Sequence, residues 1–121
     1  MQPTQLTVRK DRRTLEIKFG DKESYELSAE ILRVLSPSAE VQGHSPDQRK
    51  IIGGKRNVEI LELSPVGNYA VRITFDDMHS TGIYTWKFLR ELGLDFETHW
   101  SNYLNELNTA GLNRDTPGQS G

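Results

Sequence analysis

Cysteine is absent from the 121 residues, which excludes disulfides, thiolate metal sites, cysteine-held iron–sulfur clusters and a thiol nucleophile in this chain. A reducing cytoplasm is the expected compartment. Long apolar runs are missing too. No stretch approaches the roughly 20 consecutive apolar residues of a membrane-spanning helix, and Met1-Gln2-Pro3-Thr4 lacks the basic and then apolar pattern of a secretion signal. Nor does one sign of charge dominate. Fifteen Lys plus Arg oppose seventeen Asp plus Glu, a formal net charge of -2. That balance provides no field for gathering a polyanion, so nucleic-acid binding is disfavoured. The G-x-S-x-G elbow and the G-x-x-x-x-G-K-[ST] phosphate loop are both absent, and with them two common settings for a serine nucleophile and a nucleotide phosphate.

What remains is a chain long enough to bury a core as one domain without a metal or a disulfide. Hydrophobic residues make up 35% and charged residues 26%, and the apolar ones fall in patterned runs. Leu6 and Val8, then Leu15, Ile17 and Phe19, alternate with polar residues at the period of a half-buried strand. Lys10-Asp11-Arg12-Arg13 between them is a polar turn, so a β-hairpin is predicted at the start of the chain. Gly20-Asp21-Lys22 makes the next turn, and Ser24 to Leu27 gives a short third strand. A second group begins with Val58, Ile60 and Leu61 to Leu63 and turns at Pro65-Val66-Gly67-Asn68. It continues through Tyr69, Val71, Ile73 and Phe75, turns again at Asp76-Asp77-Met78-His79, and ends with Ser80 to Tyr84. That order describes an antiparallel meander.

Helices are predicted in the intervals. Ser28 is placed to cap one, with Glu30 in its first turn and Ile31, Leu32 and Leu35 on its buried face. Residues 36–46 allow one short helical turn, and residues 47–57 read as a strand end at Ile51-Ile52 followed by a flexible loop. Thr85 is placed to cap a helix through Leu92, which Gly93 ends in a left-handed conformation. Phe96, Trp100, Tyr103, Leu104 and Leu107 recur at helical spacing. With Trp86 and Phe88 they read as helix faces turned to the sheet rather than as a stacking platform. The expected fold is α+β: an antiparallel sheet built from the N-terminal hairpin and the central meander, with two or three packed helices. It spans residues 1–112, and residues 113–121, polar with glycine and proline, form a disordered tail.

Two stretches carry a resemblance. One is Leu32-Arg33 followed by Ser36-Pro37-Ser38-Ala39-Glu40-Val41. The other runs through Gly67-Asn68-Tyr69-Ala70-Val71 to Phe75-Asp76-Asp77-Met78-His79-Ser80-Thr81-Gly82-Ile83-Tyr84-Thr85-Trp86. In order and spacing they resemble the N-terminal domain of gamma-butyrobetaine hydroxylase, in particular its stand-alone bacterial relatives of unassigned function, over roughly residues 5–94. In the hydroxylase that domain holds zinc on three cysteines spaced C-x-C-x-x-C and on a histidine in an Asp-Gly-His turn. The cysteine positions match Ser36, Ser38 and Val41, the histidine matches His79, and Met78 stands in place of the glycine. Hydroxyls and a valine do not replace thiolates on zinc, so the resemblance implies that the inherited site is lost. The hydroxylase's oxygenase chemistry is not implied either, because His44, His79 and His99 are the only histidines and none begins a His-x-Asp or His-x-Glu pair. Relatives of the domain occur fused to P-loop ATPases that carry iron–sulfur clusters, which implies an accessory role in metal or iron–sulfur metabolism.

Two function classes remain open. The first is a non-catalytic binding or adaptor module for another protein, an iron–sulfur carrier ATPase among the candidates. Its surfaces would be the His79 turn and the basic loop of Arg49, Lys50, Lys55 and Arg56, whose charge and backbone N–H groups suit a phosphate or an acidic partner. The loop's plainer reading is a solvated charge run. The second class is a metal-binding protein or minimal metalloenzyme in which His44, Asp47 and His79 converge on Fe(II), Mn(II) or Zn(II). The plainer reading of His79 is a turn residue bonded to local backbone. Arg72 and Arg90 read as surface charges.

Overall fold

The computed structural model describes residues 2–116, and the alternating runs form strands in it. Strands β1 (Gln5–Val8), β2 (Thr14–Phe19) and β3 (Glu23–Ser28) make an antiparallel sheet in that order. Leu15, Ile17 and Leu27 are fully buried, whereas Glu16 and Lys18 on the other face stay partly exposed. Strands β4 (Ile60–Val66), β5 (Ala70–Phe75) and β6 (Ile83–Thr85) form a second antiparallel sheet, again in chain order. Here Val71, Ile73 and Phe75 face inward and Arg72 outward.

The hairpin and the meander thus each complete a three-stranded sheet of their own. They are linked at Arg12, which takes φ 63 in the first turn. Its carbonyl accepts from the Ile60 N–H at 2.7 Å, and its Nη1 donates to the carbonyls of Ile60 and Leu61, both at 3.2 Å. Strand β4 runs on to Val66 through Pro65, a residue read from sequence as turn. As the edge strand of its sheet, β4 can carry a residue that lacks an N–H without losing a ladder bond.

Among the described residues four α-helices fill the intervals: α1 (Ala29–Val34), α2 (Ala39–Gln42), α3 (Trp86–Leu94) and α4 (Phe96–Thr109), with a 3-10 turn at Pro46–Gln48. The Ser28 hydroxyl accepts from the Ile31 N–H and the Thr85 hydroxyl from the Phe88 N–H, each at 3.1 Å, capping α1 and α3 as their residue types direct. Gly93 does not end α3. The helix continues through it to Leu94, and a Cβ at Gly93 would lie 2.5 Å from the Tyr25 ring. The missing side chain is therefore a notch that lets α3 lie close on β3. On α4, Tyr103 and Leu107 are buried while Leu104 is largely at the surface.

Side chains of both sheets and of α1, α3 and α4 share one core, among them Leu27, Ile31, Ile73, Phe75, Tyr84, Leu89 and Leu107. The tail expected over residues 113–121 divides. Residues 117–121 lie outside the described residues, whereas the carbonyls of Asn113 and Arg114 accept from the N–H groups of Gly54 (2.8 Å) and Arg56 (3.0 Å). Among the described residues no helix is long and apolar enough to cross a membrane.

Candidate functional site

A polar cluster that runs from the interior to the surface at Glu40 is assembled from three places in the chain. Ser36 follows α1, Ser38 and Glu40 open α2, and His79 ends the turn after β5. Ser36, Ser38 and His79 are all buried. His79 Nε2 lies 2.9 Å from Ser36 Oγ and 3.4 Å from Ser38 Oγ, the two hydroxyls are 3.2 Å apart, and Nδ1 is 3.3 Å from the Glu40 carboxylate. A neutral ring fits this arrangement, with Nδ1–H donating to Glu40, Nε2 accepting one serine hydroxyl proton and the other proton shared between the two hydroxyls. Ser38 is the N-cap of α2 yet makes no side-chain cap bond, because its hydroxyl is turned into this cluster. Burial, together with the nearby Arg33 charge, lowers the His79 pKa below its ordinary value.

Serine, histidine and carboxylate in line have the connectivity of a nucleophilic triad. Access is what fails. Ser36 has no exposed surface, and a Cβ placed on Gly82 would lie 2.4 Å from Ser36 Oγ. An acyl carbon needs to stand about 3–3.5 Å from the attacking oxygen with its substituents around it, and the Gly82 backbone closes that side.

The zinc site of the hydroxylase domain fails a different test. The residues matched to its ligands do gather here, since Ser36, Ser38 and His79 touch and Val41 is buried one turn along α2. Yet the hydroxyls are neutral, Val41 offers no donor atom, and Nε2 is already hydrogen-bonded to serine. This set does not fit a zinc ion.

The turn beside the cluster is held by charge. Asp77 accepts from Arg33 Nε at 2.8 Å and Lys55 Nζ at 2.6 Å, and its other oxygen accepts the His79 N–H at 3.1 Å. Burial alone would raise the Asp77 pKa, but Lys55, the His79 amide and Arg33 outweigh it and hold the carboxyl at about 2. Between Asp77 and His79, Met78 adopts φ 71 with its side chain 75% exposed. Arg33 Nη1 is buried without a hydrogen-bond partner among the described residues.

His44 and Asp47 lie at the exposed surface. The His44 N–H donates to the Gln48 side chain at 2.8 Å, and the Asp47 carboxylate accepts from Ser45. Among the described residues no three His, Cys, Asp or Glu side chains group closely enough to hold a metal ion, so His44, Asp47 and His79 do not converge in this structure. Most of the basic loop is neutralised: Arg49 pairs with Glu106, Lys55 with Asp77 and Arg56 with Asp115, leaving Lys50 at the surface. Arg90 pairs with Glu23 at 2.8 Å and Arg72 is exposed. Trp86 and Tyr103 are buried, with Phe88 and Trp100 half-buried against the same core.

One constellation escaped sequence reasoning. Glu30, only 4% exposed, takes Arg114 through two bonds, Nε–Oε2 at 2.8 Å and Nη2–Oε1 at 2.7 Å, and accepts the Tyr103 hydroxyl at 2.7 Å. A glutamate among Ala29, Ile31 and Leu32 was a signal, though its place in the first helical turn offered a sufficient local reason.

The sequence profile described as gamma-butyrobetaine hydroxylase-like, N-terminal, matches residues 6–90. Two solution NMR structures are similar. One is 43% identical with TM-score 0.81, covering 98% of this chain and 93% of its own. The other is 44% identical with TM-score 0.79, covering 93% and 84%. A crystal structure of a protein of unknown function from Acidithiobacillus ferrooxidans ATCC 23270, a member of the DUF971 family, is 37% identical with TM-score 0.63, covering 76% of this chain and 92% of its own. No curated protein matches the chain.

Proposed function

The chain belongs to the gamma-butyrobetaine hydroxylase-like N-terminal family, and from that premise we propose that it is a non-catalytic protein-binding module of the cytoplasm whose contact surface centres on the turn at residues 76–79. The observation that carries this reading is Met78. A large apolar side chain stands 75% exposed on a backbone at φ 71, a conformation that disfavours any residue with a Cβ. Strain of this kind persists only where surroundings enforce it, and here Asp77, Arg33, Lys55 and the buried His79 do so. A rigid turn presenting an adaptable thioether suits contact with an apolar depression on a partner. The closed Ser36–His79 cluster supports the non-catalytic half of the reading.

The resemblance directs the choice of first partner. Relatives fused to P-loop ATPases with iron–sulfur clusters make an iron–sulfur carrier ATPase the first candidate, and an accessory place in metal or iron–sulfur metabolism the setting. The test is affinity capture with the wild-type chain, with Met78→Asp, and with Lys55 and Arg56 reversed in charge. A reproducible partner lost in Met78→Asp supports the reading. No reproducible partner, or one held equally by every variant, counts against it.

A further inference from the structure

The C-terminal arm is bound to the body of the protein in the manner of a peptide ligand. After α4, Gly111 takes φ +73 and the Leu112 N–H returns to the Leu107 carbonyl at 2.9 Å, closing the helix. The following residues lie along the loop at residues 54–56. Two main-chain bonds fix their register, Gly54 N–H to Asn113 O and Arg56 N–H to Arg114 O. Arg114 is then clasped by the buried Glu30 through two bonds, with the Tyr103 hydroxyl on the same carboxylate and the guanidinium carbon 4.9 Å from the centroid of the Trp100 ring. Asp115 in turn meets Arg56. Open depressions of about 240 and 230 Å³, each lined in part by Arg114 and Asp115, run beside the arm, so it is approachable from the side.

The geometry points to a receptacle for a short bent segment of asparagine, arginine and an acidic residue, formed by Glu30, Tyr103, Trp100 and the 54–56 backbone, with the chain's own residues 113–115 as its occupant in cis. The partner is a protein presenting such a segment, which displaces the arm. Charge decides this choice: Glu30 accepts the arginine and Arg56 meets the acidic residue that follows, while the Asn113 side chain, accepting from the N–H groups of Asp115 (2.9 Å) and Thr116 (2.7 Å), holds the segment in a bend. The inference deepens the binding-module reading and rests on it for the existence of a partner, though the receptacle is tested independently.

The probe is a peptide with the sequence Leu-Asn-Arg-Asp-Thr, amidated and carrying a dye at its N-terminus, into which the full chain, Arg114→Ala and Arg114→Lys are titrated, followed by the anisotropy of the dye. A tethered arm acts at an effective concentration on the order of millimolar, so a peptide with an intrinsic dissociation constant near 0.1 mM should bind the wild type about tenfold more weakly than Arg114→Ala. A peptide with lysine in place of arginine should bind Arg114→Ala more weakly, because it cannot match both carboxylate oxygens. If Arg114→Ala does not fold, Arg114→Lys keeps a cation on Glu30 and decides the matter, binding the peptide more tightly than wild type because its own arm is held more weakly. The proposal is overturned if neither folded variant raises the anisotropy of the peptide, or if wild type and variants bind it equally. A captured partner indifferent to Arg114 would sink the receptacle while leaving the module reading intact. Peptide binding as described, with no cellular partner, would do the reverse.

Discussion

Placing glycine and alanine in turn at position 78 measures the strain that supports the functional reading. Met78 sits at φ 71, where a residue with a Cβ is disfavoured by about 1–2 kcal/mol and glycine is not. Both substitutions remove a side chain that is 75% exposed, so the small burial it contributes is lost from each alike. What separates them is relief of strain in the glycine variant, offset by about 0.4–1 kcal/mol for the freer unfolded chain that glycine brings. Met78→Gly should therefore be the more stable of the two by about 0.5–1 kcal/mol, the reverse of the order at a position of ordinary φ. Gly20 is the internal control, since it holds φ +71 with nothing within 4 Å of its missing Cβ. Gly20→Ala should lose a similar amount from backbone strain alone. Urea titration measures these differences, and in a thermal melt about 1 kcal/mol corresponds to a shift of about 3–6 °C for a chain of this size. If Gly20→Ala shows its loss while Met78→Ala equals or exceeds Met78→Gly, the turn is not strained and the reasoning fails.

Acid titration should reveal two separate steps in stability. His79 has a folded pKa lowered by burial and by Arg33, so the unfolded chain takes the proton first. Stability then falls as pH drops below the ordinary 6.5 and levels off beneath the folded value. Asp77 is held at about 2 against an ordinary 3.8, so its contribution is complete above about pH 4 and disappears toward pH 2. Urea midpoints against pH should lose the upper step in His79→Gln, whereas Asp77→Asn should shrink the lower one to what Glu16, Glu23, Asp47 and Asp115, each lowered by a hydrogen-bond partner, still contribute. Gly93→Ala should destabilise the protein by about 1–3 kcal/mol, because its Cβ would stand 2.5 Å from the Tyr25 ring and α3 must move to admit it; in a Tyr25→Ala background, itself less stable, the same change should cost less. The triple change Ser36→Cys, Ser38→Cys, Val41→Cys should bind zinc one to one, by elemental analysis and cobalt spectroscopy, where the native chain does not. Tetrahedral Zn–S and Zn–N bonds place ligand atoms about 3.5 Å apart, and Ser36 and Ser38 already stand 2.9 and 3.4 Å from His79 Nε2.

Features fixed by near neighbours were legible, and features fixed across the fold were not. Thr14 to Phe19 reads as a strand because its own alternation divides core from solvent, and β2 has those bounds. Ser28 and Thr85 bond the N–H three residues on, well within the reach of a local pattern. A glycine near the end of a helix is locally ambiguous between a left-handed cap and a packing notch. At Gly93 the answer lies with Tyr25 on β3. The basic loop misleads in the same way: its cations cluster in sequence, but the carboxylates that neutralise most of them come from the β5–β6 turn, α4 and the C-terminal arm. Polar composition marked Arg114 as tail, and nothing local reveals that a buried glutamate receives it.

The two features of the 76–79 turn have one structural cause. A left-handed residue at 78 reverses the course of the chain, so that Met78 projects outward while the next side chain, His79, enters the body of the protein and its N–H caps onto Asp77. The buried cluster then fixes the ring at both nitrogens, and Arg33 and Lys55 fix the aspartate. Removing the imidazole would leave the Ser36 and Ser38 hydroxyls bonded to each other but with one hydroxyl proton lacking an acceptor in the interior, at about 1–3 kcal/mol where no water can reach it. Removing the thioether leaves every one of those bonds in place. The inward side of the turn therefore carries stability, whereas the outward side detracts from it through strain and exposed apolar surface. A feature that lowers stability while its supports are fully built is better explained by contact with another molecule than by folding, and for that reason the search for function belongs on the Met78 face.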